Sequence, residues 1–140
     1  MKRRFPVSKD HLHIAMAFVE QQVFDLGLDA GSAAKVFVAV EELLTNIILY
    51  SGLTQADTVE IGIEPLGIGG VEIVLIDSGI AYNPFFHMRG PVHPLTPVEN
   101  RKVGGLGIYL VWRLMDKISY LRENEKNILL LIKYAKQNKN

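Results

Sequence analysis

Cysteine is missing from this 140-residue chain. Disulfides, thiol nucleophiles and thiolate metal ligands are excluded with it, and the absence fits a cytoplasmic protein. Net charge is missing too, because fifteen Lys and Arg balance fifteen Asp and Glu. Composition therefore argues for neither direct nucleic-acid binding nor a general attraction to membranes. Lys2-Arg3-Arg4 is too short a basic run to build on, and reads as a solvated terminus or an edge strand. No apolar run approaches the ~18 residues that a membrane-spanning helix needs. No signal peptide is visible, since the N-terminus is charged and then meets Pro6. There is no internal repeat and no low-complexity tract. His11, His13, His87 and His93 are scattered, and the i,i+2 spacing of the first two does not share a helix face. Solvent exposure rather than metal binding is expected of them.

What remains is 49% hydrophobic and 21% charged, the balance of a globular protein. One domain, residues 1–140, is expected, long enough to bury a core. Residues 3–7 read as a short edge strand, since Pro6 is tolerated only at an edge. Ser8 or Asp10 can cap a helix over about 9–26 whose apolar positions are Leu12, Ala15, Met16, Val19, Val23 and Leu26, with Gly27 closing it. Asp29 or Ser32 caps a second helix that runs to about Tyr50. The period then changes: Val59, Ile61 and Ile63 alternate with Glu60, Gly62 and Glu64, a half-buried strand over 58–64. A Gly-rich turn leads to a partner strand, 71–77, and the two form a hairpin. Residues 77–103 show no clear period and hold Pro84, Pro91, Pro94 and Pro97, a length of loop that is usually functional or mobile. A third helix over about 106–116 precedes a last hairpin, 118–122 and 127–134, turned at Asn124-Glu-Lys. The tail from Lys136 is polar and expected to fray. The order β-α-α-β-β-loop-α-β-β predicts an α+β two-layer sandwich, a mainly antiparallel mixed sheet with three helices on one face.

Three stretches carry chemistry. In Val38-Ala-Val-Glu-Glu-Leu-Leu-Thr-Asn-Ile-Ile-Leu-Tyr50, Glu42 and Asn46 are four residues apart and stack on one helix face. Glu41 lies about 100° round the axis and need not share their role. The surrounding Val, Leu and Ile would bury nearly every other side, so the polar pair is either on a wet rim or serving a ligand. Asp77-Ser-Gly-Ile-Ala-Tyr-Asn-Pro84 sits where a buried strand runs out into the long loop. It reads equally as a turn or as a carboxylate placed to accept from an amino group on a planar ring. Gly104-Gly-Leu-Gly107 opens a helix, where freed N–H groups and the helix dipole favour an anion. It is neither a P-loop nor a dinucleotide fingerprint. Taken together and in this order, the three describe a nucleotide–Mg²⁺ site.

On these residues the chain resembles the histidine-kinase-like ATPases (the Bergerat, or GHKL, superfamily), and within them the anti-sigma-factor serine/threonine kinases. The resemblance runs from the helix over 18–28 to the strand ending at Tyr134. Glu42-Leu-Leu-Thr-Asn46 is similar to the family's N box, Asp77 to Pro84 to its G1 box, and Gly104-Gly-Leu-Gly-Ile-Tyr-Leu-Val to its G2 box. The resemblance implies the Bergerat ATP-binding fold, with ATP and Mg²⁺ as cofactors. Asn46 would ligate the metal. Asp77 would bind the adenine amino group, with Gly79 giving the ring room. Asn83 would shape the loop beside the nucleotide. Gly104, Gly105, Leu106 and Gly107 would form the phosphate cradle. Residues 85–103 would be the ATP lid, its Arg89, Arg101 and Lys102 able to meet phosphates. Glu42 would be the general base for a serine or threonine hydroxyl. A STAS-domain anti-anti-sigma protein is the implied partner, with a sigma factor and a second copy of the chain as further candidates. Two positions depart from the pattern: Tyr50 stands where the family often has His, and Asn83 where it commonly has Asp. Neither removes a group the chemistry requires. With no phosphoacceptor His motif and no room for a dimerisation domain, a sensor histidine kinase fits poorly. A non-catalytic, ATP-gated module that sequesters a partner shares every site residue except a working Glu42, and a plain ATP hydrolase would lack a transducer domain.

Overall fold

The computed structural model describes residues 1–86 and 105–137. The strands are β1 (Lys2–Pro6), β2 (Thr58–Pro65), β3 (Gly70–Asp77), β4 (Lys117–Glu123) and β5 (Lys126–Tyr134). The helices are α1 (Leu12–Asp25), preceded by a 3₁₀ turn at Lys9–His11, α2 (Ala30–Tyr50) and α3 (Gly105–Leu114). These agree with the expected order. The sheet runs β1-β2-β3-β5-β4, and each pairing among the described residues is antiparallel. Among the described residues no parallel pair makes the sheet mixed. β3 and β4 do point the same way, but β5 is inserted between them.

Alternation in the strands decides which face is covered. Val59, Ile61, Ile63, Val71, Ile73, Leu75, Leu129 and Leu131 are buried and face the helices. The register sets Ile61 opposite Leu75, and Ile73 opposite Leu131, so the apolar positions form rows across three strands. Above them lie Met16, Val19 and Val23 of α1, Val36, Val40, Leu43 and Ile47 of α2, and Ile108 and Val111 of α3. Each such aliphatic side chain contributes roughly 1.5–3 kcal/mol when buried. Phe5 and Phe18 pack ring to ring at 5.4 Å and tie the edge strand to α1. The other face of the sheet carries half-buried Val74 and Ile76 among Lys2, Glu60, Glu64 and Glu72.

Several local expectations are corrected. Ser8 makes no capping bond to the backbone; its hydroxyl pairs with His11 Nδ1 at 2.7 Å, so His11 is half-buried rather than solvated. Leu26 is 38% exposed, whereas Phe18 joins the core. Gly27 has φ +74° and ends α1 as expected. Phe85, assigned by sequence to the start of the lid, is buried and packs 6.5 Å from Trp112. The tail is held at its start, because the Lys136 N–H donates to Asp29 Oδ1 at 2.9 Å. Lys133 is buried as well. Its ammonium donates to the Leu114 carbonyl at 2.9 Å and lies 3.5 Å from Asp116, which closes the C-terminus of α3 with a positive charge.

Asp29 caps α2 by accepting from the Ser32 N–H at 3.0 Å. The Lys136 N–H, then the Ser32 N–H, lower its pKa from the ordinary 3.8 to about 2. A depressed carboxylate pKa stabilises the fold above its unfolded value and loses that contribution as pH falls through the folded one. Asp29→Ala is expected to lower the Tm by a few degrees at neutral pH. The gap from the parent chain should be constant above about pH 4 and close as pH approaches about 2, as followed by thermal melts across pH. A gap that stays constant down to pH 2 would contradict this account.

Candidate functional site

Two of the three sequence stretches meet at one hollow. It has about 340 Å³ of empty space and is lined by Leu43, Asn46, Ile47, Ser51, Asp77, Ile80, Tyr82, Pro84, Asn127 and Leu129. Asn46 comes from the last third of α2 and Asp77 from the last residue of β3. The joint that brings them together is tight. The Ile80 N–H donates to the Ser51 carbonyl at 3.0 Å, linking the residue after α2 to the loop after β3. A Cβ at Gly79 would stand 2.7 Å from both Cβ and the carbonyl oxygen of Ser51, and 2.9 Å from Asp77 Oδ1. Only glycine permits that approach.

Asp77 is 5% exposed. Its Oδ1 accepts from the Gly79 N–H at 2.9 Å and from Asn127 Nδ2 at 3.1 Å. Its Oδ2 has no hydrogen-bond partner among the described residues. Asn46 is 9% exposed, and its amide likewise makes no hydrogen bond among them. Buried polar atoms without partners cost stability, so two of them beside one hollow point to groups supplied by a ligand.

Glu42 does not line this hollow. It lies one helical turn earlier on α2, half-buried, beside the first turn of α3. A Cβ at Gly107 would fall on the Glu42 carboxylate, so the glycine gives that carboxylate its place at the start of α3. Gly105 and Leu106 open the same helix. Asn83 is turned to its own backbone: Oδ1 accepts from the Phe85 N–H at 2.9 Å, shaping the turn after the G1 stretch. Arg89, Arg101, Lys102 and Gly104 lie outside the described residues, as does most of the expected lid.

Asn127 is the site residue that sequence reasoning missed. It is the second residue of β5, in register with Asp77 on one side and Arg122 on the other. Besides Asp77 it holds the Ile80 carbonyl, the Tyr82 N–H and the Tyr120 hydroxyl. Arg122 adds a bond from its guanidinium to the Gly79 carbonyl at 2.8 Å. The only signal in the sequence is a lone amide ahead of five consecutive aliphatic residues, which does not identify its partners.

Among the described residues, no group of three or more His, Cys, Asp or Glu is placed to hold a metal. The donor set suits Mg²⁺ nonetheless, because that ion commonly takes one or two protein oxygens and completes its octahedron with water and phosphate. The Asn46 amide oxygen could serve as one such donor.

Residues 5–133 match the Histidine kinase-like ATPase domain family. The chain belongs to that family. It is similar to the Serine-protein kinase RsbW of Oceanobacillus iheyensis, 25% identical over 138 residues that cover 94% of this chain and 84% of the relative. Its fold is similar to that in the SiaB–SiaC complex from Pseudomonas aeruginosa, with a TM-score of 0.68 at 13% identity over 94% of this chain and 88% of that one. It is also similar to the RsbU and RsbW domains of Rv1364c from Mycobacterium tuberculosis, with a TM-score of 0.67 at 12% identity. That alignment covers 99% of this chain, which spans 33% of the longer protein.

Gly79→Ala should separate α2 from β3 at the hollow and weaken ATP binding by roughly tenfold or more, which is about 1.4 kcal/mol. Gly67→Ala is the control, since an added Cβ there meets nothing within 4 Å. Calorimetric titration of both variants checks this, and equal affinities would show that the close approach is irrelevant to the site.

Proposed function

We propose that this chain is an ATP–Mg²⁺-dependent protein serine/threonine kinase that acts as an anti-sigma regulatory factor and phosphorylates a STAS-type anti-anti-sigma protein. The observation that carries the reading is the convergence on one hollow of the Asn46 amide and Asp77 Oδ2, both without a hydrogen-bond partner among the described residues, with Glu42 one turn away beside a glycine helix start. Similarity to a relative named Serine-protein kinase RsbW supports it. Asp77 Oδ2 accepts from the adenine amino group, and the apolar walls, Leu43, Ile47, Ile80 and Leu129, enclose the ring. The N–H groups of Gly105, Leu106 and Gly107 lie in the first turn of α3, where the helix dipole favours phosphate. In this reading Gly104, Arg101 and Lys102, which lie outside the described residues, also serve the phosphates, and Asn83 shapes the turn that follows the Asp77 stretch. A magnesium ion held through Asn46 would neutralise charge on the phosphate oxygens.

Glu42 takes the proton from the acceptor hydroxyl. That oxygen bonds to the γ-phosphorus as the bond from phosphorus to the bridging oxygen breaks, and ADP leaves with the electron pair. A cytoplasmic setting goes with this reading, since ATP and sigma factors are found there. A sigma factor and a second copy of the chain complete the set of proposed partners.

Labelled ATP and a STAS-domain protein from the same organism should give a phosphoserine or phosphothreonine product. No labelled product under conditions where ATP binds would sink the kinase reading. Asp77→Ala should abolish measurable ATP binding in the same titration, and retained affinity would move the base elsewhere. One observation favours a second reading, an ATP-gated module that sequesters a partner without catalysis: Glu42 stands outside the hollow's lining. Glu42→Gln separates the two. The kinase loses phosphotransfer by roughly 10²-fold or more and keeps ATP binding. The module keeps partner binding unchanged and never transferred phosphate.

A further inference from the structure

Among the described residues β4 pairs with β5 alone, so its other edge is open. The hairpin fixes which backbone groups face that edge. Asn124 and Glu125 form a two-residue turn at φ 52° and 61°, closed by the pair Glu123–Lys126. Such a closing pair exchanges both its backbone hydrogen bonds, and every second pair behind it does the same. Leu121, Ser119 and Lys117 are therefore bonded to β5. Ile118, Tyr120 and Arg122 turn their N–H and C=O groups to the open edge.

An open edge is a template for another strand, and proteins commonly blunt it. The opposite edge of the sheet, β1, is blunted. Pro6 has no N–H to offer, and Lys2, Arg3 and Arg4 would meet like charges on a copy of the same strand. β4, in contrast, is complementary to itself. Its sequence is Lys-Ile-Ser-Tyr-Leu-Arg-Glu. Laid antiparallel to a copy with Tyr120 at the centre, Lys117 stands opposite the partner's Glu123, and Glu123 opposite the partner's Lys117. Ile118 stands opposite the partner's Arg122, and Tyr120 opposite its own copy. Every outward-facing residue thus meets another one.

The side chains agree with this register. Ile118 and Tyr120 pack on the core side, while Lys117, Ser119, Leu121 and Glu123 are exposed on the other face. The two opposite charges of each pair therefore share a face, as a cross-strand ion pair requires. Leu121 is 53% exposed and gains the partner's Leu121 as a diagonal neighbour across the axis. The Tyr120 hydroxyl on Asn127 and the Arg122 guanidinium on Gly79 are side-chain bonds, which backbone pairing at the edge leaves in place.

We infer that the open edge of β4 binds the β4 edge of a second copy of this chain, antiparallel about a two-fold axis at Tyr120, joining two sheets into one. This rests on the reading that a second copy is a partner, and gives that copy its surface. The contact is isologous, so the two Lys117–Glu123 pairs are equivalent and stand or fall together.

The test is sedimentation equilibrium over a range of protein concentrations, with melts to check folding. The samples are the parent chain, Lys117→Glu, Glu123→Lys, their equimolar mixture and the double variant. Each single substitution sets like charges opposite one another at both pairs and should weaken self-association at least about tenfold. The mixture restores opposite charges at both pairs and should recover association as a heterodimer. The double variant reverses each pair and should associate as the parent chain does. Lys35→Glu, exposed on α2, is the control for net charge and should leave association unchanged. An equal loss there would make net charge the cause and overturn the inference. If a single variant does not fold, the double variant carries the test, and a monomeric double variant overturns the inference. A parent dimer that the single variants leave intact, or a mixture that stays monomeric, overturns this surface and leaves the second copy to pair elsewhere. A parent chain that is monomeric at every concentration overturns the surface and the second-copy reading together.

Discussion

The contact between the end of α2 and the end of β3 governs the rest of the site. Ser51 follows a 21-residue helix buried along most of its length, and Asp77 ends a strand buried on its helix-facing side. Both elements are held by apolar packing that cannot slide without exposing aliphatic surface. Where they meet, the Ile80 N–H and the Ser51 carbonyl pair directly, and Gly79 leaves no side chain between them. Asn46 and Asp77 are thereby fixed against one hollow although 31 positions separate them in the sequence. Their unfilled hydrogen-bonding capacity is a cost that the packing around them offsets.

A second joint positions α3. Lys133 on β5 closes the C-terminal end of the helix through the Leu114 carbonyl, while Gly107 lets its first turn approach Glu42. The helix is thus fixed at both ends, one by charge and one by the absence of a side chain. Its start, where the peptide N–H groups point outward, is set beside the carboxylate of α2. Two neighbouring turns of one helix face different surroundings: Asn46 the hollow, Glu42 the glycine turn.

Much of the fold was legible in the chain. The 3.6-residue period of α1 and α2, the alternation of β2, and the turn residues Gly27 and Asn124-Glu125 each declare their element locally, since Asn124 and Glu125 adopt the positive φ that a two-residue hairpin needs. The misreadings share a cause. Ser8 looked like a cap because Ser usually is one, yet a neighbouring imidazole took its hydroxyl. Phe85 fell within the lid that the family resemblance implied, yet its ring packs on Trp112 and is buried in the core. Local propensity loses wherever another side chain, near or far along the chain, offers more burial or a better partner. Asn127 escaped notice for the same reason, since three of its four partners lie 45 to 50 residues away.

The sequence by itself determined the elements, the family and the residue types of the site, because those reside in periodicity, caps and short motifs read along the chain. Only the tertiary structure decided that β5 enters between β3 and β4. That insertion sets Asn127 opposite Asp77, and so decides which carboxylate oxygen remains open. Strand order is a matter of long-range pairing, and the chain carries no local mark of which edge a hairpin will choose. Hydrogen-bond saturation follows from that order, which is why the open oxygen of Asp77 could not be read from Asp-Ser-Gly alone.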